Sequence, residues 1–282
     1  MTASEAAPGY RAAATLPLRV ELVRQLRRRR TVLTLGFLVL LPVLLWLAFT
    51  LGRGERKSGG ATLIDLATSS GLNFVVFTLF STASFLLVVV VALFFGDTVA
   101  SEASWSSLRY LLAAPVPRAR LLARKAVVAA LLSALALVLL PAVAMAVGVV
   151  GYGAGDLVSP TGQSLGFLAA ASRLALVPVY LVVHLAWVAG LALLLSVSTD
   201  APLGAVGGAV MVSILSQILE TVEALGGLRD YLPTRFNSAW VDLLSSPIEW
   251  THLASGAFSG LAYASVFGFA AWWRFTTKDI TS

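Results

Sequence analysis

The chain of 282 residues is too apolar to fold as a soluble globular domain. Hydrophobic residues make up 58% of it and charged residues only 12%, with a mean hydropathy of +0.88 and a formal net charge of +6. Soluble domains carry about 25% charged residues. The chain contains no cysteine, which excludes disulfides, thiolate metal sites and a cysteine nucleophile.

Six apolar runs divide almost the whole chain into predicted membrane spans. A helix rises about 1.5 Å per residue, so about 20 residues cross the hydrocarbon core. The predicted spans cover residues 31–51, 73–95, 126–150, 174–196, 202–225 and 253–275. Gly256, Gly260 and Gly268 in the last run indicate close helix packing. We therefore predict an all-α membrane protein with six transmembrane helices in a single membrane domain, residues 1–282.

The distribution of Lys and Arg predicts the orientation. Fourteen of the twenty basic residues fall on the side that contains the N-terminus, and basic residues in short loops are retained in the cytoplasm. Both termini are thus predicted to be cytoplasmic, with an N-terminal segment at 1–30, a loop at 96–125 and a tail at 276–282. Residues 226–250 form an outer or re-entrant segment. Basic residues beside spans attract anionic lipid, so no nucleic-acid partner is expected.

The segment before the first span has the pattern of a short amphipathic helix. Thr15 can cap it, Pro17 fits its first turn, and Leu22, Val23 and Leu26 share one face. One interpretation places this helix along the inner membrane surface, as an interfacial helix. The alternative is a basic flank that anchors the first span.

The loop between the second and third spans is amphipathic, basic and longer than a hairpin requires. Its sequence is GDTVASEASWSSLRYLLAAPVPRARLLARK. Leu108, Leu111 and Leu112 have helical spacing, Pro115 and Pro117 interrupt the helix, and a new helix is predicted to begin near Arg118. A broken helix at the membrane surface is a shape that suits a docking partner.

This loop resembles the pattern E-x-x-x-G-T-L-x-x-L-L-x-x-P-x-S-R, followed by Lys, of ABC-2 family permeases. Glu102, the Leu111-Leu112 pair, Pro115, Arg118 and Lys125 match it. The Gly-Thr of the pattern is replaced by Ser106-Ser107, and its Ser by Pro117. The chain is also similar to the family in its basic N-terminal helix, six spans, outer Tyr-Leu-Pro motif at 231–233 and short C-terminal tail.

The resemblance implies the membrane subunit of a bacterial ABC transporter in the inner membrane, with export as the direction. Its loop would act as a coupling helix seated on a cytosolic ATPase, present in two copies, beside a second permease copy or a similar chain. ATP and Mg would be bound by that partner, because this chain has no G-x-x-x-x-G-K-[ST] loop and no cofactor is expected in it. The positions implied in ATPase coupling are Glu102, Ser107, Leu108, Leu111, Leu112, Pro115, Arg118, Arg120, Lys125 and, in a second inner loop, Asp200.

The second inner loop, SVSTDAPLG, joins the fourth and fifth spans. Asp200 is placed to cap the fifth helix and Pro202 fits its first turn. The loop is either a minor contact with the ATPase or only a tight, capped turn.

Ionisable residues inside spans are costly and therefore candidates for function. His184 lies near the middle of the fourth span, where it can pack against a partner helix, contact a substrate or relay a proton. Glu220 and Glu223 are predicted to share a face of the fifth helix, at a depth similar to that of Arg173. One hypothesis pairs Arg173 with either glutamate to close an outer mouth between two subunits; the alternative leaves all three in outer water.

Two other functions compete with that of an ABC permease. An enzyme is disfavoured because the two histidines form no H-E-x-x-H motif, and no G-x-S-x-G motif or paired intramembrane aspartate is present. A secondary transporter, which needs no ATPase, is the stronger alternative. Such transporters usually show internal repeats with matched broken helices, and no such repeat is evident here.

Overall fold

A computed structural model describes residues 17–52, 63–104, 117–159 and 163–277, and this part of the chain is predominantly helical. The α-helices in chain order are α1 (Leu18–Leu26), α2 (Arg29–Leu51), α3 (Leu63–Ala67), α4 (Gly71–Ala83), α5 (Leu86–Ser104), α6 (Arg118–Tyr152), α7 (Phe167–Leu174), α8 (Val177–His184), α9 (Ala186–Ser198), α10 (Pro202–Glu220) and α11 (Trp250–Thr277). A two-stranded antiparallel hairpin pairs β1 (Leu157–Val158) with β2 (Ser164–Leu165). Two 3₁₀ helices, Glu223–Tyr231 and Ala239–Leu244, lie between α10 and α11.

Within the described residues, five helical segments are long and apolar enough to cross a membrane, and a sixth is obtained if the bent pair α4/α5 is counted as one. The segments are α2, α6, the run α7 to α9, α10 and α11. They correspond to the predicted spans, but α6 begins at Arg118, eight residues before the predicted start, because its charged first two turns continue the same helix. The helix of the fifth predicted span, α10, ends at Glu220 rather than at Leu225.

The second predicted span is bent by 55° between α4 and α5. A break in a membrane helix leaves backbone groups without intrahelical partners, and the hydrocarbon offers none. Gln217 of α10 meets this need, because its side-chain amide donates to the Ser84 carbonyl oxygen at 3.0 Å. The bend is therefore stabilised from a neighbouring helix.

The core forms around α5, which packs on α6, α9 and α10 and is buried along most of its length. Helix α4 packs on the C-terminal half of α6, where Gly71 lies against the backbone of Val149. A Cβ atom on Gly71 would lie 2.7 Å from the Val149 nitrogen, so only glycine allows this approach. Helix α1 rests on α6 and α2, with Leu22 and Leu26 against the core and Val20 exposed.

Candidate coupling site

Four charged side chains meet where α1, α5 and α6 converge. The Lys125 Nζ atom lies 2.5 Å from Glu102 Oε1 and 3.7 Å from Glu21 Oε1, while Arg24 Nη2 lies 2.8 Å from both carboxylates. Glu21, Glu102 and Lys125 are each only 4% exposed. The two positive and two negative charges cancel, which allows Glu21, Glu102 and Lys125 to be buried, while the Arg24 side chain stays 44% exposed at the edge. We call Glu21, Arg24, Glu102 and Lys125 the charge cluster.

The local structure explains why each residue reaches the cluster. Glu21 and Arg24 are three residues apart and so lie on the same face of α1. Glu102 lies in the last turn of α5, and Lys125 is two turns into α6. Their contact therefore joins the two helices that flank residues 105–116.

Electrostatics within the cluster favour the ionised state of Glu21. Burial raises the pKa of this carboxyl, but Lys125 and Arg24 outweigh burial and hold the pKa below its ordinary value. The hydrogen bond from Gln25 Nε2, 3.0 Å long, acts in the same direction. Glu21 is thus a buried anion whose counterions lie on two helices.

A second ionic group lies beside the charge cluster. Asp97 of α5 is 5% exposed and pairs with Arg28, at 3.1 Å, and with Arg30. Close by, the Ser196 hydroxyl at the end of α9 accepts hydrogen bonds from the backbone N–H groups of Val99 and Ala100, at 3.0 and 3.1 Å. The last two turns of α5 are therefore held by α1, by the start of α2, by α6 and by α9.

The structure brings some of the predicted coupling residues together. Glu102 and Lys125 meet directly, and Arg118 and Arg120 lie half-buried in the first turn of α6. The predicted loop at 96–125 is shorter than expected, since residues 96–104 are helical in α5 and residues 118–125 in α6. The remaining predicted positions lie outside the described residues: Ser107, Leu108, Leu111, Leu112 and Pro115.

The prediction that Asp200 caps α10, the helix of the fifth span, is wrong. Asp200 is exposed and the N-cap of α10 is Ala201, which has no side-chain cap bond. The Ala201 backbone N–H instead donates to Thr199 Oγ1 at 3.2 Å, because the hydroxyl two residues earlier is already in reach. Thr15, the predicted cap of α1, lies outside the described residues.

His184 is fully buried and bonded at both ring nitrogens. Nδ1 lies 3.2 Å from the Gly256 carbonyl oxygen and Nε2 lies 2.9 Å from Asn237 Oδ1. The ring stacks on Tyr180, with centroids 5.5 Å apart and planes 6° from parallel. This is the satisfied packing that the sequence offered as one interpretation of His184.

The hypothetical pairing of Arg173 with Glu220 or Glu223 does not form within the described chain. Arg173 donates to the Ser245 carbonyl oxygen at 2.6 Å, and Glu220 pairs with Arg235 at 3.6 Å. Glu223 is exposed and opens a 3₁₀ helix beyond the end of α10, so the two glutamates do not share a helical face. The turn after Glu220 is the reason, since it ends the periodicity on which the hypothesis depended.

Sequence reasoning missed Glu21, Arg24 and Asp97 as parts of this site. A signal was present, because Glu21 is the only acidic residue in the basic stretch at 17–30 and Asp97 directly follows a predicted span. Carboxylates next to the membrane at a strongly basic end are expected to be paired.

The family model described as ABC-2 family transporter protein matches residues 18–199, well over half of the chain. The match begins at the first residue of α1 and includes every member of the charge cluster. Comparison with curated proteins gives no match. Members of this family are membrane permeases of ABC transporters, generally paired with an ATPase subunit. The chain belongs to the ABC-2 transporter family, as a multi-pass membrane component of transport rather than an ATPase.

Proposed function

We propose that this permease exports its substrate across a bacterial inner membrane, driven by a separate cytosolic ATPase that acts on residues 105–116. The ATPase is present in two copies and binds the ATP and Mg. Two permease chains, identical or similar, enclose the pathway. Both termini and residues 105–116 lie in the cytoplasm, and residues 223–249 lie at the outer side.

The observation that carries the proposal is the contact between Glu102 and Lys125, 23 residues apart in the chain. These residues flank the segment that resembles a coupling helix, and they are joined to each other and to α1. A force applied to residues 105–116 would therefore move the ends of α5 and α6 together, with α1 attached. Because these helix ends are joined, such a force would move the helices within the membrane rather than only change the conformation of the loop.

Geometry also supports six crossings. Gly71, at the start of α4, packs on Val149 near the end of α6. Glu102 of α5 instead contacts Lys125 near the start of α6. At about 1.5 Å per residue, the 24 residues between those two points of α6 span roughly 36 Å, more than the hydrocarbon thickness of about 30 Å. The bent pair α4/α5 covers the same distance, which supports counting it as one crossing.

The test replaces Leu111 and Leu112 with Asp in the chain co-expressed with the ATPase that co-purifies with the unaltered chain. We expect normal membrane insertion but loss of co-purification, or ATP hydrolysis without transport. Leu228→Asp is the matched control, since Leu228 is 65% exposed at the proposed outer side and should leave assembly intact.

Two results would contradict the proposal. Unchanged assembly and transport in the Leu111→Asp/Leu112→Asp variant would show that another surface binds the ATPase. Transport by the purified chain alone in liposomes, with only an ion gradient, would favour the secondary transporter.

A further inference from the structure

Residues 223–249 are fastened to the spanning helices by side chains that donate to backbone carbonyl groups. Arg173 of α7 bonds the Ser245 oxygen at 2.6 Å, Tyr180 of α8 bonds the Phe236 oxygen at 2.7 Å, and Tyr263 of α11 bonds the Tyr231 oxygen at 2.5 Å. The segment consists of turns and 3₁₀ helices rather than an α-helix, and these side chains add donors to its backbone, including to the Phe236 oxygen, which also accepts from the Ala239 N–H at 3.1 Å. Next to hydrocarbon such carbonyl groups need protein donors.

The segment reaches into the bundle and covers a buried apolar surface. Thr234 is fully buried and bonds Ser216 of α10 at 2.7 Å, and Ala239 and Trp240 are 7% and 1% exposed. The Trp240 ring packs edge-on against Phe80 of α4, with centroids 5.1 Å apart. The segment thus seals the end of the bundle opposite the charge cluster.

His184 is the point at which this segment, the fourth span and the last helix meet. Its Nδ1 faces the Gly256 carbonyl oxygen of α11, which can only accept, so Nδ1 carries the proton. Nε2 faces the Asn237 carboxamide of the segment, and the two ends of that amide exchange by rotation of its side chain. A neutral imidazole therefore satisfies both neighbours at once.

The backbone around His184 is packed closely against α11. A Cβ atom on Gly260 would lie 2.6 Å from the His184 carbonyl oxygen, so α11 touches the backbone of α8 directly. The His184 ring is consequently fixed by Tyr180 on one side and by α11 on the other. Of the groups described around the His184 ring, Asn237 alone belongs to a segment without regular secondary structure.

We propose that residues 223–249 form a lid and that His184 is the positioning residue that holds the lid closed through Asn237. Every polar bond of the lid described above can be replaced by bonds to water. The lid is therefore stable while the site is dry and is released when water enters beside His184. This inference goes beyond the transport function and does not depend on the ATPase.

Cysteine labelling in lipid nanodiscs, without nucleotide, tests the lid. The chain has no native cysteine, so Ala239→Cys introduces a single buried thiol and Ser238→Cys a single exposed one. In the otherwise unchanged chain, a water-soluble maleimide should modify Ser238→Cys rapidly and Ala239→Cys slowly. Equal rates at the two positions would overturn the proposal, because the lid would then not be closed.

The decisive variants break the same bond from opposite sides. His184→Phe and Asn237→Leu should each accelerate labelling of Ala239→Cys about three- to tenfold, as expected for losing one net hydrogen bond. The double variant should exceed the faster single variant only slightly. His184→Gln, which keeps a donor and an acceptor, should label more slowly than His184→Phe.

Labelling of Ser238→Cys should stay constant in all these backgrounds, which controls for the intrinsic rate of the maleimide reaction at this part of the lid. Unchanged Ala239→Cys labelling in Asn237→Leu would overturn the role of His184, even if His184→Phe fails to fold. Additive effects of His184→Phe and Asn237→Leu would also overturn it. None of these outcomes bears on whether an ATPase drives the permease.

Discussion

Three charges of the charge cluster, those of Glu21, Glu102 and Lys125, are buried beside their counterions, and this determines what a single substitution does. Removing one partner of a buried pair leaves the other charge desolvated, at a typical cost of about 3 to 5 kcal/mol, whereas removing both costs far less. We expect the largest cost on removal of Lys125, since it faces both Glu102 and Glu21 and is 4% exposed. The cluster therefore gives a sharp test at the scale of single residues.

Lys125→Met should lower the free energy of unfolding by about 3 kcal/mol, because Arg24 alone is left to neutralise two buried carboxylates. Adding Glu102→Gln should recover most of that loss by removing the excess negative charge. Heating in detergent followed by size-exclusion chromatography measures both. Arg27→Gln is the control, because Arg27 is exposed and should give no change. A double variant as unstable as the sum of its two singles would contradict the pairing.

The lowered pKa of Glu21 predicts how stability depends on pH. A carboxyl with a pKa below its unfolded value of about 4.3 contributes stability above that value and loses it as the pH falls through the folded pKa. The contribution of Glu21 to stability should therefore be constant near neutral pH and be lost in acid. Glu21→Gln should be less stable at neutral pH and show a shallower acid decline. Thermal melts across the acid range measure this, and parallel curves for the two proteins would refute it.

At the scale of helices, the sequence predicts the existence of spans better than their internal breaks. A run of about 20 apolar residues has few alternatives to a spanning helix, so the predicted spans correspond to helices. The bend at Ser84 could not be predicted, because it depends on a donor from Gln217, 133 residues away. The ring of contacts around Glu102 was missed for the same reason, since Glu21 and Arg24 arrive from α1.

Glycines of the last helix show the same limit, because three similar positions have different neighbours. Gly256 and Gly260 pack closely, as the sequence predicts, whereas a Cβ atom on Gly268 would meet nothing within 4 Å. Spacing alone could not separate them. Contact with α8 distinguishes the first two glycines from the third, and that contact is set by the fold.

Gly260→Ala and Gly268→Ala form a matched pair on one helix. Gly260→Ala should lower the free energy of unfolding by about 1 to 3 kcal/mol, because the added methyl group collides with the His184 carbonyl oxygen. Gly268→Ala should be neutral or slightly stabilising, since alanine is the better helix former. Thermal melts in detergent compare the two. Equal destabilisation would show that α11 does not approach α8 as closely as described.

At the scale of the whole molecule, the fourth span connects the two polar sites. Ser196 of α9 holds the end of α5 beside the charge cluster, while Arg173 and Tyr180 hold the carbonyl groups of the lid. The span runs through α7, α8 and α9 as one continuous segment, because backbone hydrogen bonds such as Tyr180 N–H to the Leu176 oxygen and Ala189 N–H to the Leu185 oxygen bridge its interruptions. A motion at the proposed coupling end would therefore reach the proposed lid through this one span.

Cysteine labelling from one side of the membrane tests the arrangement of the whole chain. With six crossings, Arg27→Cys and Asp200→Cys should react on the same side, and Gln163→Cys and Ser238→Cys on the other. All four positions are exposed, and the chain has no native cysteine. An impermeant maleimide applied to intact spheroplasts should label only the second pair, whereas inverted vesicles should label only the first. If Asp200→Cys reacted from the same side as Ser238→Cys, the fifth span, α10, which lies between these positions, would not cross, and the lid and the charge cluster could not lie at opposite membrane faces.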